Sequence, residues 1–189
     1  MPGFVIHLAV AKQYLEYHPG EIQNREDFEN GIIAPDLDAS QNEIERNKSK
    51  THYGKWGNYE TEINLDQFLQ DPKVDLFQDF WKGYFLHLLT DYYFYERFFQ
   101  KETFEVKQNQ DKFYQDYDVL NASLISKYDL PFRKDLQKFI SFREGTPKYL
   151  NLEKILDFIE FVSHLDLTKQ QKIIEKQGME GIKSYEYKN

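Results

Sequence analysis

The stretch from Val74 to Phe99 reads VDLFQDFWKGYFLHLLTDYYFYERFF and is apolar on nearly every side when drawn as a helix. A helix of this kind belongs in the interior of a domain, because no polar face is available to meet water. The stretch therefore predicts a buried central helix over about 74–99. His87 and Asp91 stand four residues apart within it, so they lie on one helix face.

Outside this stretch, apolar residues recur mostly at intervals of three and four, which is typical of helices, and strand signals are weak. A first helix is predicted over 4–17, ended by His18-Pro19-Gly20, and another after an Asn24 cap. Later helices are predicted over 117–128, from Pro131 to before Gly145, from the Asn151 cap to about His164, and from about Thr168 to Gly178. The fold class is an all-α, single-domain, multi-helix bundle around the central helix, with one domain over 1–180 and a frayed tail over 181–189.

The segment Gly31-Ile32-Ile33-Ala34-Pro35-Asp36 is apolar up to Pro35 and then turns polar. Proline disfavours the helical conformation of the residue before it, which predicts a break here. A long polar loop is expected over 37–64. Long ordered loops in compact domains are often functional, and Asp36 and His52 stand at its start and within it.

Composition narrows the classes of function. The 189 residues include 16 Phe and 14 Tyr, no cysteine, and a net charge of −8. The aromatic content predicts a globular chain, and the lack of cysteine excludes disulfides and thiolate metal sites. The acidic charge disfavours broad nucleic-acid binding. The N-terminus does not read as a secretory signal and no stretch reaches the length of a membrane span, so a cytoplasmic protein is expected.

Each candidate residue for chemistry also has a simpler interpretation. His87 and Asp91 can form a buried hydrogen bond between helices, and His7 can be a core histidine bonded to a carbonyl. Asp36 can cap a turn, and His52 can be an exposed loop residue. Gly83 lies one turn before His87, and glycine inside a helix costs about 1 kcal/mol relative to alanine. It therefore predicts that another group approaches the backbone closely.

Taken together, the candidates have the residue types of a zinc site. Imidazole and carboxylate are the available protein ligands when thiolate is absent. The sequence thus predicts one or two divalent metal ions, most simply Zn²⁺, held by His7, Asp36, His52, His87 and Asp91.

Four pieces of the chain resemble the zinc-dependent phospholipase C family, whose all-α fold is shared with single-strand-specific zinc nucleases. They are the early helical His7, the phrase Gly-Ile-Ile-Ala-Pro-Asp ending at Asp36, Thr-His-Tyr at His52, and Gly-Tyr-Phe-Leu-His-Leu-Leu-Thr-Asp with His87 and Asp91. The resemblance implies that Asp36, His52, His87 and Asp91 hold one ion. It also implies that Asp91 bridges to a second ion that His7 helps to hold.

The chain departs from that family at two points. The family uses its mature N-terminal residue as a ligand, whereas His7 here is six residues from Met1. The family's third ion needs a later His-x-x-x-Glu pair, whereas Thr168 stands four positions after His164. Glu96 and Glu160 are conceivable substitutes. A site for two ions rather than three is expected.

The predicted function is a metal-dependent hydrolase of phosphate esters, most simply a phosphodiesterase, with Asp36 orienting or deprotonating the attacking water. The substrate is a small phosphoester or a phospholipid-like molecule. Several aromatic residues can contact this substrate, although core packing is the favoured role for them. They are Tyr53, Trp56, Tyr84, Tyr92 and Tyr95. Two alternatives stay open, a non-catalytic domain stabilised by metal and a helical interaction module with a buried His–Asp pair.

Overall fold

The computed structural model describes residues 3–41, 49–57, 60–99, 110–131 and 134–186, where the regular structure is helical except for one short hairpin. The helices are α1 (Phe4–Tyr17), α2 (Arg25–Gln41), α3 (Leu65–Gln70), α4 (Asp79–Phe94), α5 (Gln110–Tyr128), α6 (Leu152–Ser163), α7 (Leu167–Gln177) and α8 (Met179–Glu186). A π-helical turn (Tyr95–Phe99) continues α4, and a short 3-10 helix covers Lys134–Phe139. Strands β1 (Gly54–Gly57) and β2 (Glu60–Ile63) pair antiparallel. The predicted all-α class is confirmed.

The central helix is α4, and residues 83–94 along it are all buried, as predicted. It begins at Asp79 rather than near Val74, because the preceding residues form turns. The Asp75 carboxylate accepts the backbone N–H of Phe77 at 3.0 Å, and the Asp75 carbonyl accepts that of Gln78 at 2.9 Å. A short polar side chain that bonds the following backbone favours a turn over a helix.

The predicted break at Pro35 is wrong, because α2 continues through it to Gln41. Proline weakens a helix interior since it has no N–H and its ring crowds the preceding turn. Here Phe28, Ile32 and Ile33 are at most 2% exposed, and burial of this apolar face outweighs the local cost. The predicted loop over 37–64 is correspondingly shorter and contains the hairpin. Residues 42–48 and 58–59 of it lie outside the described residues.

Other boundaries follow the sequence to different degrees. Helix α1 has the predicted bounds, and the Asn151 side chain caps α6 by accepting the N–H groups of the first helical turn. Gly178 ends α7 as predicted, with a φ of 62°. The helix predicted from Pro131 is only the short 3-10 segment, and α5 starts seven residues earlier than predicted. Residues 181–186, assigned from sequence to the tail, belong to α8, and 187–189 lie outside the described residues.

The chain divides into two compact units. The first comprises Met1–Ile22 and Thr90–His164. In it, α1 packs against α5 and α6, and Phe94 packs edge-on against Phe158 with ring centroids 5.2 Å apart. The buried Asp116 carboxylate accepts three consecutive backbone N–H groups, those of residues 148–150, and so fixes the segment leading into α6.

The second unit comprises Gln23–Leu89 and Leu165–Asn189. Here α2 crosses α4 at two glycines. A Cβ on Gly83 would clash with the Phe28 carbonyl oxygen, and a Cβ on Gly31 would clash with the Phe80 carbonyl oxygen. The close approach predicted from Gly83 is therefore confirmed, and the approaching group is the backbone of α2.

Asp79 ties the start of α4 to the segment before α2. Its carboxylate accepts the backbone N–H groups of Gln23 and Asn24 at 2.8 and 2.6 Å and an ammonium hydrogen of Lys82 at 2.8 Å. Burial raises the pKa of this carboxyl, but the bonds from Lys82, Asn24 and Gln23 together lower the pKa by more. The net pKa lies below the usual range.

This depressed pKa predicts an acid-dependent loss of stability. A carboxyl whose folded pKa is below its unfolded pKa stabilises the protein above about pH 4, and the contribution disappears as the pH falls through the folded pKa. We expect Asp79→Asn to lower the free energy of unfolding at pH 7 by about 1–3 kcal/mol. We also expect a shallower fall of stability below about pH 4. Urea unfolding from pH 7 to pH 2.5 measures both.

The matched control is Asp157→Asn, which changes an exposed carboxyl on α6. It should keep the pH dependence of the unmodified protein. An unchanged acid dependence in Asp79→Asn would contradict the role given to Asp79.

Within the described ranges, every helix is too short or too polar to cross a bilayer.

Candidate metal centre

The crossing of α2 and α4 positions His87. The close backbone approach brings the Ile32 carbonyl oxygen of α2 to 2.7 Å from His87 Nδ1. A carbonyl can only accept, so Nδ1 must be the nitrogen that carries the proton and donates. His87 thus presents Nε2, the usual ligand atom of a neutral imidazole, on its other side.

His52 faces that nitrogen. Its Nε2 lies 3.3 Å from His87 Nε2, with the two ring planes inclined by 62°. Its other nitrogen, Nδ1, lies 2.8 Å from the hydroxyl oxygen of Thr51. His52 is 0% exposed, so the alternative of an exposed loop histidine is wrong.

Asp36 is the third residue of this group, which lies in the second compact unit. It lies inside α2, four residues after Ile32, whose carbonyl is beside His87. Its Oδ1 lies 3.4 Å from His52 Nε2, and one of its oxygens is within 4.8 Å of a ring nitrogen of His87. Since α2 continues past Asp36, the alternative that this residue caps a turn is wrong.

His7 and Asp91 meet in the other unit. His7 Nε2 on α1 lies 3.2 Å from Asp91 Oδ1, and both side chains are completely buried. Asp91 also stands one turn after His87 on α4, so this single helix presents both residues on one face.

The spacing of these atoms suits metal coordination. Two ligands that are each about 2.0–2.1 Å from a tetrahedral zinc ion lie about 3.3 Å apart. The pairs His52–His87 and His52–Asp36 have separations of 3.3 and 3.4 Å. Hydrogen bonds to nitrogen usually span about 2.7–3.2 Å, so both pairs lie just beyond that range and at the spacing of two ligands of one ion.

The charges point the same way. A buried carboxylate is costly unless it is paired or bound to a metal ion. A neutral imidazole beside Asp36 or Asp91 leaves one negative charge at each place, which a divalent cation neutralises. Buried His and Asp side chains in the described part of the chain therefore form groups that can hold a metal ion.

Sequence reasoning missed the groups that hold the imidazoles. These are the Ile32 carbonyl, the Thr51 hydroxyl and Tyr84, whose hydroxyl donates to the Thr51 carbonyl at 2.5 Å. The sequence carries one signal for Tyr84, its place three residues before His87 on the same helix. It carries none for Ile32, because backbone carbonyls look alike in every sequence.

The aromatic residues considered as substrate contacts are mostly packing groups. Tyr84 stacks on Phe68, and Tyr53 packs edge-on against the same ring. Burial, together with the hydrogen bond to Asp71, raises the pKa of Tyr53. Tyr92, in the first unit, packs against the next residue, which is also a tyrosine. Trp56 lies in β1 and Tyr95 in the π-helical turn.

The residues considered for a further ion lie elsewhere. His164 stacks on Tyr17 with ring centroids 3.9 Å apart, and its Nδ1 is 2.9 Å from the Glu160 carbonyl oxygen. Both side chains are about half exposed, at 53% and 51%. Among the described residues, neither belongs to a group that can hold an ion.

Comparison of the chain with protein-family models, curated proteins and solved structures finds no match in any of the three. The resemblance to zinc-dependent phospholipase C, in fold as in function, stays a prediction based on the four sequence pieces.

Proposed function

We propose that this chain is a zinc-dependent hydrolase of phosphate esters, acting on phosphodiesters as the zinc-dependent phospholipase C family does. The observation that carries the proposal is the buried group of Asp36, His52 and His87. The separations of 3.3 Å between His52 and His87 and of 3.4 Å between His52 and Asp36 each fit a pair of ligands on a tetrahedral ion. The order of these residues along the chain, which matches the family, adds support.

Each residue has a distinct part in this proposal. The Nε2 atoms of His52 and His87 bind the ion, and the resemblance to the family assigns Asp91 to the ion as a further ligand. His7 either orients Asp91 or helps to hold a second ion. Zinc in such a site lowers the pKa of a bound water and polarises phosphoryl oxygens.

Asp36 is the proposed catalytic residue. Its side chain is 9% exposed, whereas that of His52 is 0% exposed, so Asp36 lies on the more accessible side of the group. A carboxylate there can orient the attacking water and take its proton. The proposed substrate is a small phosphoester or phospholipid-like molecule, and the proposed location is the cytoplasm, which fractionation of cells checks directly.

The test is turnover of a generic phosphodiester, bis(p-nitrophenyl) phosphate, by metal-free and zinc-loaded protein. We expect turnover only with zinc, and a loss of at least about 100-fold in Asp36→Ala, within the range of a lost general base. Asp157→Ala, an exposed carboxyl on α6, is the control and should keep full activity. A zinc-loaded protein with no turnover of phosphodiester, phosphomonoester or phospholipid would contradict the proposal.

A second candidate is a non-catalytic domain stabilised by zinc, which the complete burial of His52 and His87 favours. A structural site has every coordination position filled by protein, whereas a catalytic site keeps a position open for water. Cobalt substitution separates the two functions. A visible spectrum that changes when inorganic phosphate is added indicates an open position, and an insensitive spectrum indicates a closed one.

A further inference from the structure

We infer that Thr51 and Tyr84 are positioning residues that set the place and ring orientation of His52 as a metal ligand. This inference rests on the proposed metal site. It concerns the chain's own contacts around His52, and it is tested by metal affinity rather than by turnover.

The contacts form a continuous path. The Tyr84 hydroxyl donates to the Thr51 backbone carbonyl at 2.5 Å, and the Thr51 hydroxyl lies 2.8 Å from His52 Nδ1. Tyr84 is 8% exposed and His52 is 0% exposed, whereas Thr51 between them is half-buried, so both contacts are partly shielded from water. The Tyr84 bond fixes the backbone beside His52, and the contact with the Thr51 hydroxyl fixes the orientation of the His52 ring.

Helix α4 determines the positions of both imidazoles, those of His52 and His87. Tyr84 and His87 are three residues apart on α4, and such residues are neighbours on a helix surface. His87 presents its own imidazole, and Tyr84 holds the backbone next to His52. The separation of 3.3 Å between the two Nε2 atoms is therefore set by α4 and by the Tyr84–Thr51 bond.

Different kinds of group contact the Nδ1 atoms of the two imidazoles. The Ile32 carbonyl beside His87 can only accept, whereas the Thr51 hydroxyl can donate or accept. With Nε2 as the ligand atom, His52 would carry its hydrogen on Nδ1, and Nδ1–H would donate a hydrogen bond to the Thr51 hydroxyl oxygen. Partners of this kind orient a ligand ring and raise its basicity, and losing one typically weakens metal binding about 10–100-fold.

The test compares Thr51→Val, which keeps the shape but removes the hydroxyl, with Thr51→Ser, which restores the hydroxyl. Zinc affinity is measured by competition with a chromophoric chelator. We expect Thr51→Val to weaken binding about 10–100-fold, and Thr51→Ser to restore most of the affinity. Tyr84→Phe should also weaken binding, since it removes the hydrogen bond to the Thr51 carbonyl and keeps the ring. Thr168→Val, an exposed threonine on α7, is the control and should bind as the unmodified protein does.

Two measurements keep the outcomes separate. Melting temperatures of the metal-free variants show whether the fold is intact, and if Thr51→Val is damaged, Tyr84→Phe carries the test. Long-range ¹H–¹⁵N spectra of the zinc-loaded protein should show His52 protonated at Nδ1. Folded variants that bind zinc with unmodified affinity would overturn the positioning role and leave the metal site standing. Failure of the unmodified protein to bind zinc would overturn the proposed function itself.

Discussion

Replacing His87 by alanine is expected to abolish zinc binding. The loss of affinity should go well beyond the roughly 10–100-fold that is typical when a group contacting a metal ligand is removed. His87 offers Nε2 already oriented, because the Ile32 carbonyl holds Nδ1 at 2.7 Å. Removing it takes away one ligand, and loss of the ion removes the positive charge that compensates the nearby carboxylates. Elemental analysis of protein grown and purified with zinc should give about one ion or more per unmodified chain and close to none for the variant.

The matched control for this experiment is His164→Ala. His164 is 53% exposed and lies in a different cluster with Glu160, so its removal should leave the zinc content unchanged. Because His87→Ala also removes a buried hydrogen bond, we expect it to cost about 1–3 kcal/mol of stability. Circular dichroism should confirm that it still folds. Equal zinc content in a folded His87→Ala and in the unmodified protein would contradict the assigned site.

The second large effect is expected at the helix crossing. Gly83→Ala should lower the free energy of unfolding by about 3 kcal/mol, the upper end of the usual cost of overpacking, because the clash is with backbone atoms. The added Cβ would clash with the Phe28 carbonyl oxygen and lie 3.0 Å from the Ile32 backbone nitrogen. This loss should appear although alanine is the better helix former by about 1 kcal/mol. The variant should also bind zinc more weakly, because α2 carries both the Ile32 carbonyl and Asp36.

Urea unfolding of the metal-free protein measures the first effect, and chelator competition measures the second. Gly3→Ala is the control, since a Cβ there would meet only the Tyr117 ring at 3.8 Å. It should change stability by no more than about 1 kcal/mol, the usual size of a helix-cap effect. A Gly83→Ala protein as stable as the unmodified one would show that the crossing is not tight.

Local signals explain which parts of the fold the sequence predicts well. Helix α1 and the Asn151-capped α6 have the predicted limits, because an apolar period and a stop or cap signal coincide there. The close contact at Gly83 follows from the cost of glycine inside a helix. The sequence signals for these features come from single residues or from residues near one another in the chain.

The errors have different physical causes. The sequence predicts a break at Pro35, but α2 continues because its apolar face is buried. The early part of the predicted central helix is a set of turns, because Asp75 bonds the backbone that follows it. The β1–β2 hairpin has too short an apolar pattern to be read from sequence.

The candidate site shows the same division. The ligand types could be listed from sequence, and the structure brings Asp36 and His52 together with His87, and His7 together with Asp91. The parts played by Thr51, Tyr84 and the Ile32 carbonyl could not be predicted. They depend on which backbone groups the crossing of α2 and α4 places beside each ring.

Anomalous diffraction from crystals of the zinc-loaded protein, recorded on both sides of the zinc absorption edge, tests the proposed metal site most directly. We predict an anomalous peak about 2.0–2.1 Å from the Nε2 atoms of both His52 and His87, with a carboxylate oxygen of Asp36 also in the coordination sphere. No peak between these two imidazoles, or zinc found only at surface groups such as His164 and Glu160, would contradict it.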